Sequence, residues 1–416
     1  MMETYEFAKS RELFGRAEQV IPTGIPGHLS PAWFDSPEMY PNFAVEGRGA
    51  RFTDVDGNEY VDYMCAFGPM ILGYNHPKIT EAAIAQMRKS TVLSNATPNV
   101  VELAEALTDL VTIADWAFFC KNGADVTELA TIVARAATGR KKIVLVNGGY
   151  HGTAPWMLDP ETPGVLDDDV RNVIYVDWND VEGFKQVVAE NQGEIAGFMA
   201  APYYQPLWAD DELPADGYWE TIEGICRKEG IALIVDDVRC GFRLDLSGSN
   251  EYFGFKPDLI CFSKAIANGH PLSALVGTEA MKEAASSILA VGTFWYEATA
   301  FAASLVTLQE LQAADAARTT IAKGERWTEL VRAAAANNGY ELAITGAPSM
   351  PSIRIVGDDA ERIPLSAEWG AECTRRGAYT APFHNGFLST AHTDEDLNLT
   401  GEIADDAFAA LRKRHG

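Results

Sequence analysis

Four stretches of this chain end an apolar run on residues able to do chemistry together. Leu259–Phe262 leads into Ser263-Lys264, and Ile231–Val235 leads into Asp236-Asp237. Ala117–Cys120 leads into Lys121-Asn122-Gly123-Ala124, and Lys142–Val146 into Asn147-Gly148-Gly149-Tyr150-His151. A lysine at the carboxyl end of a buried strand sits where α/β sheets bind ligands. Burial lowers its pKa toward the neutral, nucleophilic amine. That is the form a lysine needs to capture a carbonyl as an imine. Taken alone, Lys264 is also what a snorkelling side chain at a strand end looks like.

The other three stretches add the parts such a lysine would work with. Asn122-Gly123-Ala124 lies between a strand and a helix, and the exposed N–H groups of a helix start suit a phosphate. Tyr150 offers a flat ring for stacking on a heteroaromatic, or is a core tyrosine. Asp236 closes an apolar strand, where a carboxylate pairs with a protonated ring nitrogen, caps a helix or joins an ion pair. A phosphate cradle, a stacking ring, a carboxylate and a lysine are together the parts used for pyridoxal phosphate, whose pyridinium is an electron sink.

The elements that must hold these residues alternate strand, turn and helix from Ala117 onward. Strands are expected at 117–120, 142–146, 172–176, 196–200, 231–235, 259–262 and 273–277, with helices at 125–138 and 219–229. That rhythm argues for a mainly parallel sheet covered on both faces. Upstream, residues 4–20 have helical spacing, and 21–48 read as an ordered arm with Trp33, Phe34 and Tyr40. Arg51–Met64 reads as a hairpin turning at Asp56-Gly57. Helices are expected at 79–89 and 100–110, and residues 153–170 have no period and read as a loop. From about residue 305 the chain is Ala-rich and helical over 308–338, with strands near 352–356 and 378–380 and a last helix over 394–413. The expected division is an N-terminal arm and hairpin over 1–60, a large domain over 61–304 and a smaller α/β domain over 305–416.

Composition narrows the function classes. The chain has 416 residues, 47% of them hydrophobic, and a formal charge of −26. So acidic a chain is a poor partner for nucleic acid or an anionic membrane. No apolar run approaches the ~20 residues that span a bilayer, and no basic segment with an apolar core opens the chain. Six scattered cysteines without a C-x-x-C pair read as reduced thiols in a cytoplasmic protein. Seven histidines form no H-x-x-x-H pair, so no metal site is expected.

Over most of its length, from about Phe7 to Leu411, the chain resembles the class III aminotransferases of pyridoxal-phosphate fold type I, most of all the glutamate-1-semialdehyde aminomutase branch. The stretches that carry this are ARFTDVDGNEYVDYM (50–64), FGPMILGYNHP (67–77), FFCKNGADVTELA (118–130), GGYHGT (148–153), LIVDDVRCGFR (233–243), PDLICFSKAIANGHPLSALVG (257–277), GTF (292–294) and HNGFLSTAHTDEDL (384–397). The resemblance implies a large domain with a mainly parallel, seven-stranded sheet. It implies that Lys264 forms the imine and moves the proton, and that Asp236 faces the pyridine nitrogen. It also implies that Asn122, Gly123 and Ala124 hold the phosphate, and that Tyr150, followed by His151, stacks on the ring. Thr293 would reach the phosphate of a neighbouring subunit in a homodimer.

The chain departs from the family at several points. Asn122-Gly123-Ala124 stands where Ser-Gly-Thr is usual, Ala201-Pro202 where Glu-Pro is usual, and Glu297-Ala298 where Asn-Pro or His-Pro is usual. The arm segment GIPGHLSPAWFDS (24–36) lacks the arginine with which the aminomutase branch holds its substrate carboxylate. The expected activity is therefore amino transfer between an amine or amino-acid donor and a carbonyl acceptor, with glutamate 1-semialdehyde disfavoured. Trp33, Phe67 and Trp295 are candidate substrate-pocket walls, or simple core aromatics. The alternatives are intramolecular transfer by an aminomutase, a racemase or epimerase, and a degenerate member without activity.

Overall fold

The computed structural model describes residues 2–27 and 39–415. The chain divides into two compact units. One comprises residues 1–76, 205–211 and 319–416, and the other residues 77–204 and 212–318.

The second unit is built on a seven-stranded sheet in the order β4-β10-β9-β8-β7-β5-β6. The strands are β4 (Trp116–Cys120), β5 (Lys142–Val146), β6 (Val173–Val176), β7 (Ile195–Ala200), β8 (Ala232–Asp236), β9 (Leu259–Phe262) and β10 (Ser273–Gly277). β6, β5, β7, β8 and β9 pair in parallel. β10 runs antiparallel to both of its neighbours, β9 and β4. β4 therefore points the same way as β9, and the carboxyl ends of β4, β5, β8 and β9 all lie along one edge of the sheet. Every residue of β7, β8, β9 and β10 is buried, as continuous apolar runs in a sheet covered on both faces require. The helix Gly123–Thr138 packs on the sheet through Val126, Leu129, Ala130 and Val133, in a core shared with Leu145, Ile234 and Leu275.

The first unit carries a four-stranded sheet, β1 (Ala44–Arg48), β2 (Arg51–Asp54), β3 (Glu59–Asp62) and β13 (Ala378–Tyr379), and a two-stranded ribbon, β11 (Leu342–Thr345) with β12 (Ser352–Ile355). Its core gathers Val61, Tyr63, Trp327, Trp369, Leu397 and Phe408. Asp56-Gly57 turns the β2–β3 hairpin as expected, with Gly57 at φ +94°.

Several elements differ from the sequence reading. β1 pairs with β2, but four of its five side chains are exposed, so the arm gave no apolar signal for a strand. The N-terminal helix is shorter than expected, Ala8–Ala17. The long helix expected over 308–338 is two helices, Ala298–Ala313 and Ala316–Asn337, broken where Asp315 takes φ +44°. A left-handed residue cannot continue a right-handed helix. Helices at Val181–Glu190, Glu279–Ser287 and Asp359–Thr374 were not anticipated.

Candidate active site

β8 delivers Asp236 to the sheet edge almost fully buried. Its Oδ2 accepts from Nδ1 of His151 at 2.7 Å, and its Oδ1 accepts from the Val238 N–H at 3.1 Å. His151 is itself 2% exposed, and its Nε2 is buried without a hydrogen-bond partner. The carboxylate thus fixes the tautomer, with the proton on Nδ1. The loop after β5 that carries His151 is pinned to the Gly123–Thr138 helix, because Thr127 Oγ1 donates to the His151 carbonyl at 2.5 Å. At Gly152 (φ +135°) an added Cβ would lie 2.8 Å from both Cα and Cβ of Ala124, so the loop and the helix start touch backbone to backbone.

Asp237 faces the other way, as the alternation of a strand demands. It accepts from Ser249 Oγ at 2.5 Å and from the Ser249 N–H at 2.9 Å. Burial pushes its carboxyl up to about 7, against those two hydrogen bonds and with a further rise from Asp236.

Lys264 opens a short helical turn after β9 with φ +47°, a left-handed value that costs a non-glycine residue energy and is characteristic of functional positions. Its side chain keeps partial surface. Burial lowers its amine from 10.5 to about 7; Arg239 and Arg243 push it the same way, while Asp236 opposes them.

At the start of the Gly123–Thr138 helix, Asp125 Oδ2 accepts the N–H groups of Lys121 at 3.2 Å and Asn122 at 3.1 Å. The N–H groups of Gly123 and Ala124 stand at the first turn, where an anion is favoured. Val238 lies close by: a Cβ on Gly123 would sit 3.1 Å from its Cγ1. Tyr150, on the same loop as His151, leaves 67% of its surface exposed. Burial of its hydroxyl and the nearby Asp236 raise its pKa, while Arg239 lowers it.

Lys121 was not singled out from the sequence. Its Nζ lies 3.4 Å from both the Glu297 Oε2 and the Glu297 carbonyl, and 5.4 Å from the centre of the Phe301 ring. Burial lowers its pKa and Glu297 opposes that. Glu297 also caps the helix Ala298–Ala313, accepting from Thr299 N–H at 2.9 Å and Ala300 N–H at 3.0 Å. This gives the departure at Glu297-Ala298 a structural role. Its only sequence signal was an acid immediately before an Ala-rich helix.

The structure thus gathers Asn122, Gly123, Ala124, Tyr150, His151, Asp236 and Lys264 at one sheet edge. The other candidates lie elsewhere. Thr293 is exposed in the turn Thr293–Tyr296. Trp295 packs edge-on against Phe118 of β4, ring centres 5.9 Å apart, and lines an apolar groove of about 410 Å³ with Val100, Phe119 and Tyr296. Phe67 belongs to the first unit, at φ +62° with its ring edge-on to His384 at 5.8 Å. Trp33 lies outside the described residues. Among the described residues no cluster of His, Cys, Asp and Glu has the makings of a metal site.

These residues fit pyridoxal phosphate. A helix start offers N–H donors for a phosphate, Asp236 is a carboxylate braced by a buried histidine, Tyr150 presents an open ring, and Lys264 holds a depressed amine.

Comparison with known proteins gives the same chemistry a family. The model of the class III aminotransferases matches residues 35–412. Aminopentol aminotransferase of Sphingopyxis macrogoltabida is 39% identical over 403 residues, covering 97% of this chain and 94% of that one. Glutamate-1-semialdehyde 2,1-aminomutase of Methanothermobacter thermautotrophicus is 32% identical, covering 97% and 100%. The solved structure of the FumI protein of Sphingopyxis sp. MTA144, in a PLP form, superposes with a TM-score of 0.93 at 39% identity, covering 98% of this chain and 97% of that one.

Proposed function

The chain belongs to the class III aminotransferases and is a pyridoxal-phosphate-dependent aminotransferase; from that premise we propose that it moves an amino group from an amine donor to a carbonyl acceptor through Lys264 and Asp236. The observation that carries the residue assignment is the depressed amine of Lys264 beside the buried His151–Asp236 pair. Pyridoxal phosphate, when bound, supplies a carbonyl that takes up amines and a ring that accepts the electron pair left by proton removal.

The chain's own groups do the rest. Lys264 Nζ, neutral for much of the time near pH 7, is the group that would hold the cofactor covalently. Once displaced by a donor, the same Nζ is the base that takes the proton from the donor carbon and returns it. An Asp236 carboxylate at the pyridine nitrogen keeps a proton there. The hydrogen bond from His151 fixes the direction in which that carboxylate points. The Gly123 and Ala124 N–H groups, with the Asn122 amide, bind the phosphate, and Tyr150 covers one ring face.

Two facts support a donor other than glutamate 1-semialdehyde. The arm segment 24–36 has no arginine, and the aminopentol aminotransferase shares more of its sequence with this chain than the aminomutase does. The working assembly is a homodimer in which Thr293 reaches the partner's cofactor site. Its support is the exposure of Thr293 among exposed Leu289, Val291 and Phe294. A cytoplasmic location is supported by six buried cysteines that form no disulfide. No described helix is long and apolar enough to cross a membrane.

The test is an absorbance titration of the purified protein with pyridoxal phosphate and then a panel of amines. A visible band that forms with the cofactor, bleaches with one amine and returns with a carbonyl acceptor is the expected result. Full turnover by Lys264→Ala would end this mechanism.

A further inference from the structure

The turn after β8 is held rigidly between the two strand ends that carry the chemistry. Asp236 accepts from the Val238 N–H at 3.1 Å, and the Gly241 N–H donates to the Asp237 carbonyl at 2.8 Å. Gly241 has no room for a side chain, since a Cβ would lie 2.7 Å from both the Asp237 carbonyl and the Phe262 ring. Phe242 stacks on Phe262 at 4.9 Å, two residues before Lys264. Within this clamp Val238 meets Gly123 of the helix start. Arg239 follows Val238 directly, and it is only partly buried.

Two cations act on Lys264, Arg239 and Arg243. Arg243 is fully enclosed, at 0% exposure, and no ligand can reach it without unfolding the turn. Arg239 keeps surface. Its charge is also felt at Tyr150, on the other side of the helix start. A guanidinium with access to solvent thus stands between the amine that would do the chemistry and the ring beside it. The surrounding protein has a net charge of −26, which repels an anionic substrate unless a local cation receives it. Arginine is the side chain suited to a planar carboxylate, and the N-terminal arm offers none.

We propose that Arg239 is the specificity-determining residue that receives the carboxylate of a small 2-oxo acid acceptor at this site. The inference rests on the aminotransferase reading above. Arg239 then works only in the acceptor half of the cycle, so an amine donor without a carboxylate and an acceptor with one use the same site in turn.

The test uses full-length enzyme loaded with pyridoxamine 5'-phosphate and mixed with pyruvate or with propanal, which has the same carbon count without the acid. Return of the visible band gives the rate. Arg239→Gln is expected to raise the half-saturating pyruvate concentration by about 10- to 100-fold, the loss of one charge-assisted hydrogen-bonded contact, and to leave propanal unchanged. Arg239→Lys is expected to recover part of the loss. An equal fall with both acceptors, or a variant that saturates with pyruvate as the wild type does, overturns the assignment of Arg239. A wild-type enzyme that aminates neither compound overturns the aminotransferase reading and this inference with it.

Discussion

His151 Nδ1 lies 2.7 Å from Asp236 Oδ2, both side chains buried, across 85 residues of sequence. A carboxylate at a strand end has freedom to rotate; one that accepts from a buried imidazole and from the Val238 N–H has almost none. Replacing Asp236 with Asn keeps the shape and removes the charge, and turnover is expected to fall about 10²- to 10³-fold, as when a preorganised electrostatic contact is lost. His151→Ala, which leaves the charge and frees its orientation, is expected to cost less, about 10-fold or more. The visible band of the loaded enzyme should survive in both variants. A His151→Ala enzyme with wild-type kcat would show that the pair does not position the carboxylate.

The amine of Lys264 titrates at about 7 in the folded chain against 10.5 when unperturbed. Between those values the unfolded chain binds the extra proton, so the contribution of Lys264 to stability rises with pH across that window. Cofactor-free wild-type protein and Lys264→Met should therefore differ in the slope of denaturant midpoint against pH between about 7 and 10. The wild type should gain relative to the variant as pH rises. Parallel slopes would mean the amine is not depressed.

The Lys121–Glu297 pair is largely shielded from water, with side-chain exposures of 10% and 19%. Glu297→Gln leaves a partly buried ammonium uncompensated, and about 2 kcal/mol of stability should be lost, less than for a fully buried pair. Lys121→Met should cost less, because its apolar chain still packs on Phe301. A double-mutant cycle read by urea denaturation measures the coupling, and additive losses would mean the contact contributes nothing.

Gly152 allows the loop after β5 to lie on the helix start. Gly152→Ala must relieve a 2.8 Å contact with Ala124 in a conformation that L-residues avoid. The expected cost is about 1–3 kcal/mol. Pyridoxal phosphate should bind more weakly too, because the same contact aligns the loop carrying Tyr150 and His151 with the helix start. Unchanged cofactor affinity by fluorescence titration would separate the loop from the site.

Much of the fold and the core of the candidate site were legible in the order of residues alone. Apolar runs ending on Lys264, Asp236, Gly123 and Tyr150 announce strand ends, since strand periodicity and burial are written in consecutive residues. The parallel rhythm that puts those ends on one sheet edge follows from the same runs. Tertiary structure decided what lies across long separations. It gave Asp236 to His151 and Asp237 to Ser249, although the two acids are neighbours in the chain. It joined Lys121 to Glu297 and set Arg239 within reach of Lys264. It also put Trp295 against Phe118 and broke the long C-terminal helix at Asp315. Hydrophobic patterning says which face of an element turns inward. Which polar groups then meet depends on how strands far apart in sequence are ordered in the sheet, and only the assembled chain sets that order.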